Sequence, residues 1–308
     1  MIHFVKHQDI DPVLWDKAVE NSATSSVFGT YDMLDALTGD QNWHAIVEDD
    51  YQAVLPLPCR SKFGISYIYP PFFLPQMGIY AQQLVAAEDA LRFFNTIPKK
   101  YRQVDLLFNR HNNISLLPEN QYLLPSHEVS LQVPYETLWE GFSQNTRRNI
   151  KSAEKHFLTI EKNSGKVGDI IRLFQNNRGK AEAVHFQERD YRNLIRVADV
   201  LLNKDKLEVL GVRDGAQNLI AGALLVRDGH KVWFWFSGRD EKAADSKPMF
   251  FLINEFLKEN CNTDTVFDFN GSSNENVARF YKGFGGIPYS IPMLQHSRSR
   301  ILRMLKGR

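Results

Sequence analysis

Two stretches of this chain, roughly 160 residues apart and so far beyond solenoid periods, carry the same succession of hydrophobic patterns. In the first, residues 43–47 meet a polar turn at Glu48-Asp49-Asp50, a second run covers 51–56, and an aromatic run covers 66–69. In the second, residues 207–212 meet Asp214-Gly215, 219–226 follow, and after Asp228-Gly229 comes the aromatic run 232–236. Short β-branched and aromatic runs between Asp/Gly turns read as strands, so each trio predicts a meander. In both copies an irregular segment, a helix and one more strand follow: 88–95 then 104–109, and Pro248–Asn260 then 266–270. The simplest account is two copies of one unit, diverged beyond obvious identity; the alternative is hairpins that resemble each other by chance. The predicted class is α/β (α+β in detail), with each copy a mixed, mostly antiparallel sheet flanked by helices.

Each copy also opens with a strand and helices. Ile2–Val5 leads to a helix over 12–21, with Pro12 suited to its first turn. Residues 128–133 lead to helices near 135–157, 167–177 and 191–202. Pro118 and Pro125 bracket a polar stretch, 117–126, which reads as the boundary, giving domains 1–126 and 127–308.

Bulk numbers narrow the function classes. With 43% hydrophobic and 24% charged residues the chain is of ordinary globular composition, and a net charge of +1 leaves any basic site local. Cys59 and Cys261 lie far apart without metal spacing, which speaks for a reducing compartment and against a zinc site or disulfide frame. The first residues lack the basic and apolar regions of a signal peptide, and the longest apolar run, 220–226, is too short to span a bilayer. A cytoplasmic protein with no integral membrane segment and no metal is expected.

The chemistry concentrates near the C-terminus. There an apolar strand enters an Asn-Gly turn, and Asn274 suits the cap of a short helix. Val277, Phe280, Tyr281 and Phe284 recur on one face of that helix, which Gly285-Gly286 ends. A phenol beside an ammonium, Tyr281-Lys282, can deliver a proton or a positive charge to a leaving group. Asp268, set inside Phe-Asp-Phe, needs a partner or a raised pKa; it is a candidate general base or simply the polar face of an alternating strand. His185, with Glu182 and Glu188 in an irregular stretch, is a candidate acceptor-side residue. Arg147, Lys151 and Lys155 fall at i, i+4, i+8 on one helix face, with Ile150, Ala153 and Phe157 on another. Such a cationic stripe suits phosphates of coenzyme A, a nucleotide sugar or RNA, or is a solvated face. The tail from Arg298 interleaves cations with apolar residues, and reads as a terminal helix, a frayed end or a contact with RNA or an anionic membrane.

The order strand–helices–meander–helix–strand–helix resembles the GNAT N-acyltransferase fold, whose closing motif is matched by Asn274, Val277, Phe280, Tyr281 and Gly285. Two such domains in tandem resemble the FemABX and CelD-like branch, as do residues 143–155 (Ser-Gln-Asn-Thr-Arg-Arg-Asn-Ile-Lys-Ser-Ala-Glu-Lys) and 28–34. That resemblance implies a bacterial enzyme that moves an acyl group from an acyl-CoA-type donor to an amine or sugar acceptor in the interdomain cleft. Tyr281 would serve the leaving group, strand N–H groups around Phe236–Gly238 the oxyanion, and Ser237 and Gly238 would help to hold the cofactor. The superfamily's glycine-rich acyl-CoA loop is missing, for no glycine lies between 239 and 247. The start of the Pro248 helix, with Arg239, Lys242 or Lys247, takes its place as a diphosphate site. Trp235 and Tyr69 would face the acceptor, Trp233 and Trp235 sharing one strand face. The N-terminal copy, which lacks a Tyr281-like ending, would be structural or acceptor-binding. The branch also offers an aminoacyl-tRNA-dependent peptidyl transferase for cell-wall precursors, and a silent ligand-binding protein of the same fold.

Overall fold

A computed structural model of the chain describes residues 1–39, 42–118, 120–163, 166–180, 186–271 and 274–299. It divides into two compact units, Met1–Leu124 with the segment from Ser290, and Pro125–Tyr289.

The first unit runs β1 (Ile2–Val5), α1 (Pro12–Glu20), α2 (Tyr31–Thr38), β2 (Trp43–Glu48), β3 (Ala53–Lys62) and β4 (Ile65–Ile68). Then come the short β5 (Tyr80–Ala81), α3 (Ala87–Thr96) and β6 (Tyr101–Leu107). Its sheet has the order β1-β2-β3-β4-β6, with β4 and β6 parallel and the other neighbours antiparallel. The segment from Ser290 returns to this unit because Met293–Ser297 pair antiparallel with Gln103–Leu107. Trp15, Leu34, Trp43 and Val54 centre its core. Asp11 caps α1 through Val13 N (2.9 Å) and Leu14 N (3.1 Å), and Pro12 follows at the first helical position.

The second unit contains β7 (Gln121–Ser130), which crosses the break, then α4 (Tyr135–Gly141), α5 (Gln144–Ala153), β8 (Thr159–Lys162), α6 (Val167–Asn176) and α7 (Glu188–Asn203). The meander β9 (Leu207–Arg213), β10 (Leu219–Asp228) and β11 (Lys231–Arg239) follows, then α8 (Pro248–Asn260), β12 (Val266–Asp268), α9 (Glu275–Gly283) and β13 (Ile287–Ser297). The sheet order is β7-β12-β11-β10-β9-β8, with β11 and β12 parallel. Meander, helix and parallel strand therefore recur in both units, β2-β3-β4-α3-β6 answering β9-β10-β11-α8-β12. The helix buries Leu252, Ile253, Phe256 and Leu257 against the sheet, each contributing about 1.5–3 kcal/mol.

Three local expectations differ. β3 does not stop at 56 but runs on to Lys62, pairing β2 through Pro58 and β4 from Cys59. α5 ends at Ala153, so Lys155 lies in a 3-10 turn and Phe157, at φ +51°, is 83% exposed rather than sharing the apolar face of Ile150 and Ala153. The alternation of Trp233 and Trp235 is interrupted by a β-bulge, described below. Among the described residues no helix is long and apolar enough to cross a membrane.

Candidate active site

The end of α9 is fixed from both directions. Asn274 Oδ1 accepts from Asn276 N (3.0 Å) and Val277 N (3.3 Å), capping the helix as its sequence predicts. At the other end Gly285 adopts φ +76°, a conformation open to glycine, and lets Gly286 N donate to Tyr281 O at 3.3 Å. Ser143 N donates to Gly283 O at 2.8 Å, and Thr146 packs where a Cβ on Gly283 would have to go. The motif segment that starts α5 thus abuts the motif helix α9. Tyr281 stacks on Phe269 at 4.4 Å and 20°, and leaves 9% of its surface exposed.

Tyr281 lines a cavity of about 570 Å³. β11 supplies Phe234, Ser237, Gly238 and Arg239; α8 and its cap supply Lys247, Pro248 and Phe250; Asn177 and Arg178 close it from the end of α6. Burial pushes the Tyr281 phenol up to about 12, against the opposing pull of the Arg178 charge, with a smaller upward push from Asp268. The phenol is therefore protonated at neutral pH.

A β-bulge shapes the cavity wall. Leu224 of β10 faces Phe236 and Leu225 faces Phe234, so Trp235 is the extra residue of the bulge, its carbonyl accepting from Asn270 Nδ2 at 3.4 Å. The bulge redirects the strand: Phe234 contacts Phe267 and Tyr281 (6.0 and 6.4 Å), whereas Phe236 contacts Phe174 of α6 (4.8 Å). Beyond it Gly238 lets α6 approach very closely, since a Cβ there would lie 2.5 Å from Ile170 O and Phe174 N.

The far end of the cavity is built for an anion. Lys247 caps α8 with φ +53°, Pro248 takes the first helical position, and among the described residues no side chain caps this terminus. Phe250 N and Phe251 N donate back to Lys247 O (3.0 and 3.2 Å) and Pro248 has no N–H, so Met249 N–H and the positive end of the macrodipole are left to a ligand. Arg239 Nη1 is buried without a hydrogen-bond partner among the described residues, a state that costs free energy until an acceptor arrives. Asn177 Nδ2 holds the Arg239 carbonyl at 3.2 Å. These groups fit the diphosphate of an acyl-CoA.

Of the residues singled out from sequence, Tyr281, Ser237, Gly238, Arg239 and Lys247 come together here. Lys282 does not: it is exposed, absent from the cavity lining, and helps to lower the pKa of buried His127, for which burial is the larger cause. Lys242 is likewise exposed and outside the lining, and Trp235, though buried, is outside it too. Asp268 is fully buried away from the lining, with all its acceptor capacity engaged. Its Oδ2 accepts from Lys231 Nζ (2.8 Å) and Tyr289 OH (2.6 Å), its Oδ1 from Asn270 N (2.9 Å) and Ser126 Oγ (3.3 Å). Such a carboxylate is structural rather than a base. Tyr69 belongs to the first unit, where the Arg60 guanidinium lies 4.4 Å above its ring. His185 and Glu182 lie outside the described residues. Arg147, Lys151 and Lys155 line a second cavity, together with Arg148. Sequence reasoning missed Arg178, Asn177 and Phe250; Arg178 sits in a 3-10 turn, where no periodic pattern marks a side chain.

Among the described residues no group of three or more His, Cys, Asp or Glu side chains could hold a metal ion. Residues 141–282 match the family model of the acetyltransferase (GNAT) domain. Three solved structures share the fold over nearly the whole chain. FemX is 12% identical, with 97% of this chain and 99% of that one covered at a TM-score of 0.68. L-PGS from Bacillus licheniformis is 12% identical, with 97% of each covered at 0.58. A tandem GNAT protein from the clavulanic acid biosynthesis pathway is 8% identical, with 97% and 100% covered at 0.50. No curated protein matches the sequence.

Proposed function

We propose that this chain, which carries a GNAT domain over residues 141–282 and shares its fold with FemX, works as an N-acyltransferase, using an acyl-CoA-type donor and an amine acceptor. The observation that carries this reading is the pairing, in one cavity, of a protonated buried phenol with an anion-receptive end at Arg239, Lys247 and the start of α8. The diphosphate would sit on Arg239, Lys247 and the Met249 N–H at the start of α8, with the acyl arm running along β11 toward Tyr281. Backbone N–H groups of β11 near Ser237 and Gly238, which line the cavity, would face the thioester carbonyl, the position at which an oxyanion develops. The amine nitrogen attacks that carbonyl carbon, and the carbon–sulfur bond breaks. Tyr281 gives its proton to the leaving sulfur, and the proton shed by the amine returns to the phenolate. Acyl transfer is thereby assigned to the second unit, the first taking a structural or acceptor-binding part.

Calorimetric titration with acetyl-CoA and longer acyl-CoAs tests the assignment. Micromolar, saturable binding is expected, weakened about tenfold or more in Arg239→Ala and Lys247→Ala, since charge-assisted hydrogen bonds contribute about 1.5–3 kcal/mol. Lys242→Ala, outside the cavity, should bind as the parent does. No heat with any acyl-CoA would overturn the donor class and turn attention to an aminoacyl-tRNA.

A further inference from the structure

The acyl transfer derived above makes no use of the second cavity, a groove of about 790 Å³ along α5. Three kinds of group meet in it. Trp139, half-buried at the end of α4 and packed against Tyr135 and Phe142 at 6.1 and 5.8 Å, contributes an aromatic face. Beside it stand the amides of the first turn of α5, where Asn145 Oδ1 holds Arg148 Nη2 at 2.8 Å. Arg147 and Lys151 follow one helical turn apart and Lys155 stands in the 3-10 turn just beyond α5, a row of about 12 Å. Among the described residues, none of these four cations pairs with a carboxylate and no acidic side chain lines the groove.

Uncompensated cations gathered in a concave wall raise the local concentration of anions. The groove is graded: a ring and hydrogen-bonding amides at the start of α5, ammonium groups at its far end. A bare polyanion would leave the ring and amides unused, and a flat anionic surface would not fill a concavity. The row is also too short to track an extended strand of RNA. We propose that this groove binds a nucleoside polyphosphate, with its base on Trp139 and its edge on the amides. The phosphates lie along Arg147, Lys151 and Lys155. Base–aromatic stacking and charge-assisted phosphate contacts are the forces such a ligand uses.

The test is calorimetric titration of the full chain with ATP, GTP, inorganic triphosphate, a short single-stranded RNA and anionic phospholipid vesicles. Saturable one-to-one binding of ATP or GTP is expected, at least tenfold tighter than inorganic triphosphate. The double variant Lys151→Ala/Lys155→Ala should weaken it tenfold or more; both side chains are exposed, so the variant folds. Trp139→Phe should retain binding and Trp139→Leu lose it. Arg239→Ala should leave nucleotide binding unchanged, and the double lysine variant should leave acyl-CoA binding unchanged. The two cavities then fail or succeed separately. Triphosphate binding as tightly as nucleotide, binding confined to RNA or to vesicles, insensitivity to the lysine changes, or no binding would each overturn the proposal. So would a loss of acyl-CoA affinity in the lysine variant, which would make the groove part of the donor site.

Discussion

Replacing Asp268 by Asn separates a structural carboxylate from a catalytic one. The side chain keeps its volume, but one acceptor oxygen becomes an NH2 group. Either amide orientation turns that NH2 toward two donors, because Lys231 and Tyr289 meet Oδ2 while Asn270 N and Ser126 Oγ meet Oδ1. Lys231 loses its 2.8 Å partner and keeps only Glu128 at 3.5 Å. Breaking a buried ion pair from one side costs about 3–5 kcal/mol. In a unit of this size each kcal/mol moves the melting temperature by about 2–4 °C, so the second unit should melt about 6–20 °C lower. Scanning calorimetry reads this directly. Lys231→Met introduced together with Asp268→Asn should recover part of the loss, because the uncompensated charge is gone. Acyl transfer measured well below the transition should be nearly unchanged. A shift under about 2 °C, less than 1 kcal/mol on the same scale, would refute the structural reading. So would a hundredfold loss of kcat at unchanged stability.

Tyr281→Phe keeps the stack on Phe269 but removes the proton, so kcat should fall about 10²–10⁴-fold, the usual worth of general acid catalysis, with donor affinity retained. Lys282→Ala should leave steady-state kinetics within about twofold, since an exposed side chain outside the cavity has no proton to give there. The folded pKa of Tyr281 lies above its ordinary value of 10.0, at about 12. Its contribution to stability is therefore fully present below pH 10 and lost as pH rises through 12. At about 1.4 kcal/mol per pH unit the loss reaches about 2.7 kcal/mol. Urea midpoints between pH 8 and 12 should follow that slope and flatten in Tyr281→Phe; Tyr289, also raised by burial and by Asp268, keeps a residual slope. Gly238→Ala drives a methyl into the backbone of α6, so thermal melting should show a loss of about 1–3 kcal/mol from overpacking. Titration of this variant should also show weaker acyl-CoA binding, because Arg178 rides on the displaced helix.

The elements easiest to read were those whose signals are local. Pro248 marks the first residue of α8, Asn274 caps α9, and the repeated meander foretold two units of one fold. What resisted reading depends on partners distant in sequence. Pro56 and Pro58 look like strand breakers, yet they sit inside β3 opposite Ala45 and Trp43. Phe157 fits the apolar spacing of α5 but lies past the point where that helix gives way to a 3-10 turn. Trp235 continues a period-two pattern that the bulge opposite Leu224 and Leu225 interrupts. Lys282 looked like a helper because it follows Tyr281, but consecutive helical residues do not face each other. Arg178 needed the α6–β11 packing, made by two glycines on paired strands, before it could be seen beside Tyr281.

The return of β13 to the first unit has a consequence for how the protein is made. β6 pairs with Met293–Ser297, so the edge of the first sheet stays open while the whole second unit is synthesised. At ribosomal rates of about 5–20 residues per second that interval is about 10–40 s. An unpaired strand edge is a template for unintended pairing. The second unit, encoded as one uninterrupted stretch from Pro125 to Tyr289, can close on emergence, whereas the first waits for Met293–Ser297. Chains released before Met293, or fragments cut at the break after Leu124, carry that open edge permanently, and the nascent protein is most exposed to aggregation just before Met293–Ser297 emerge.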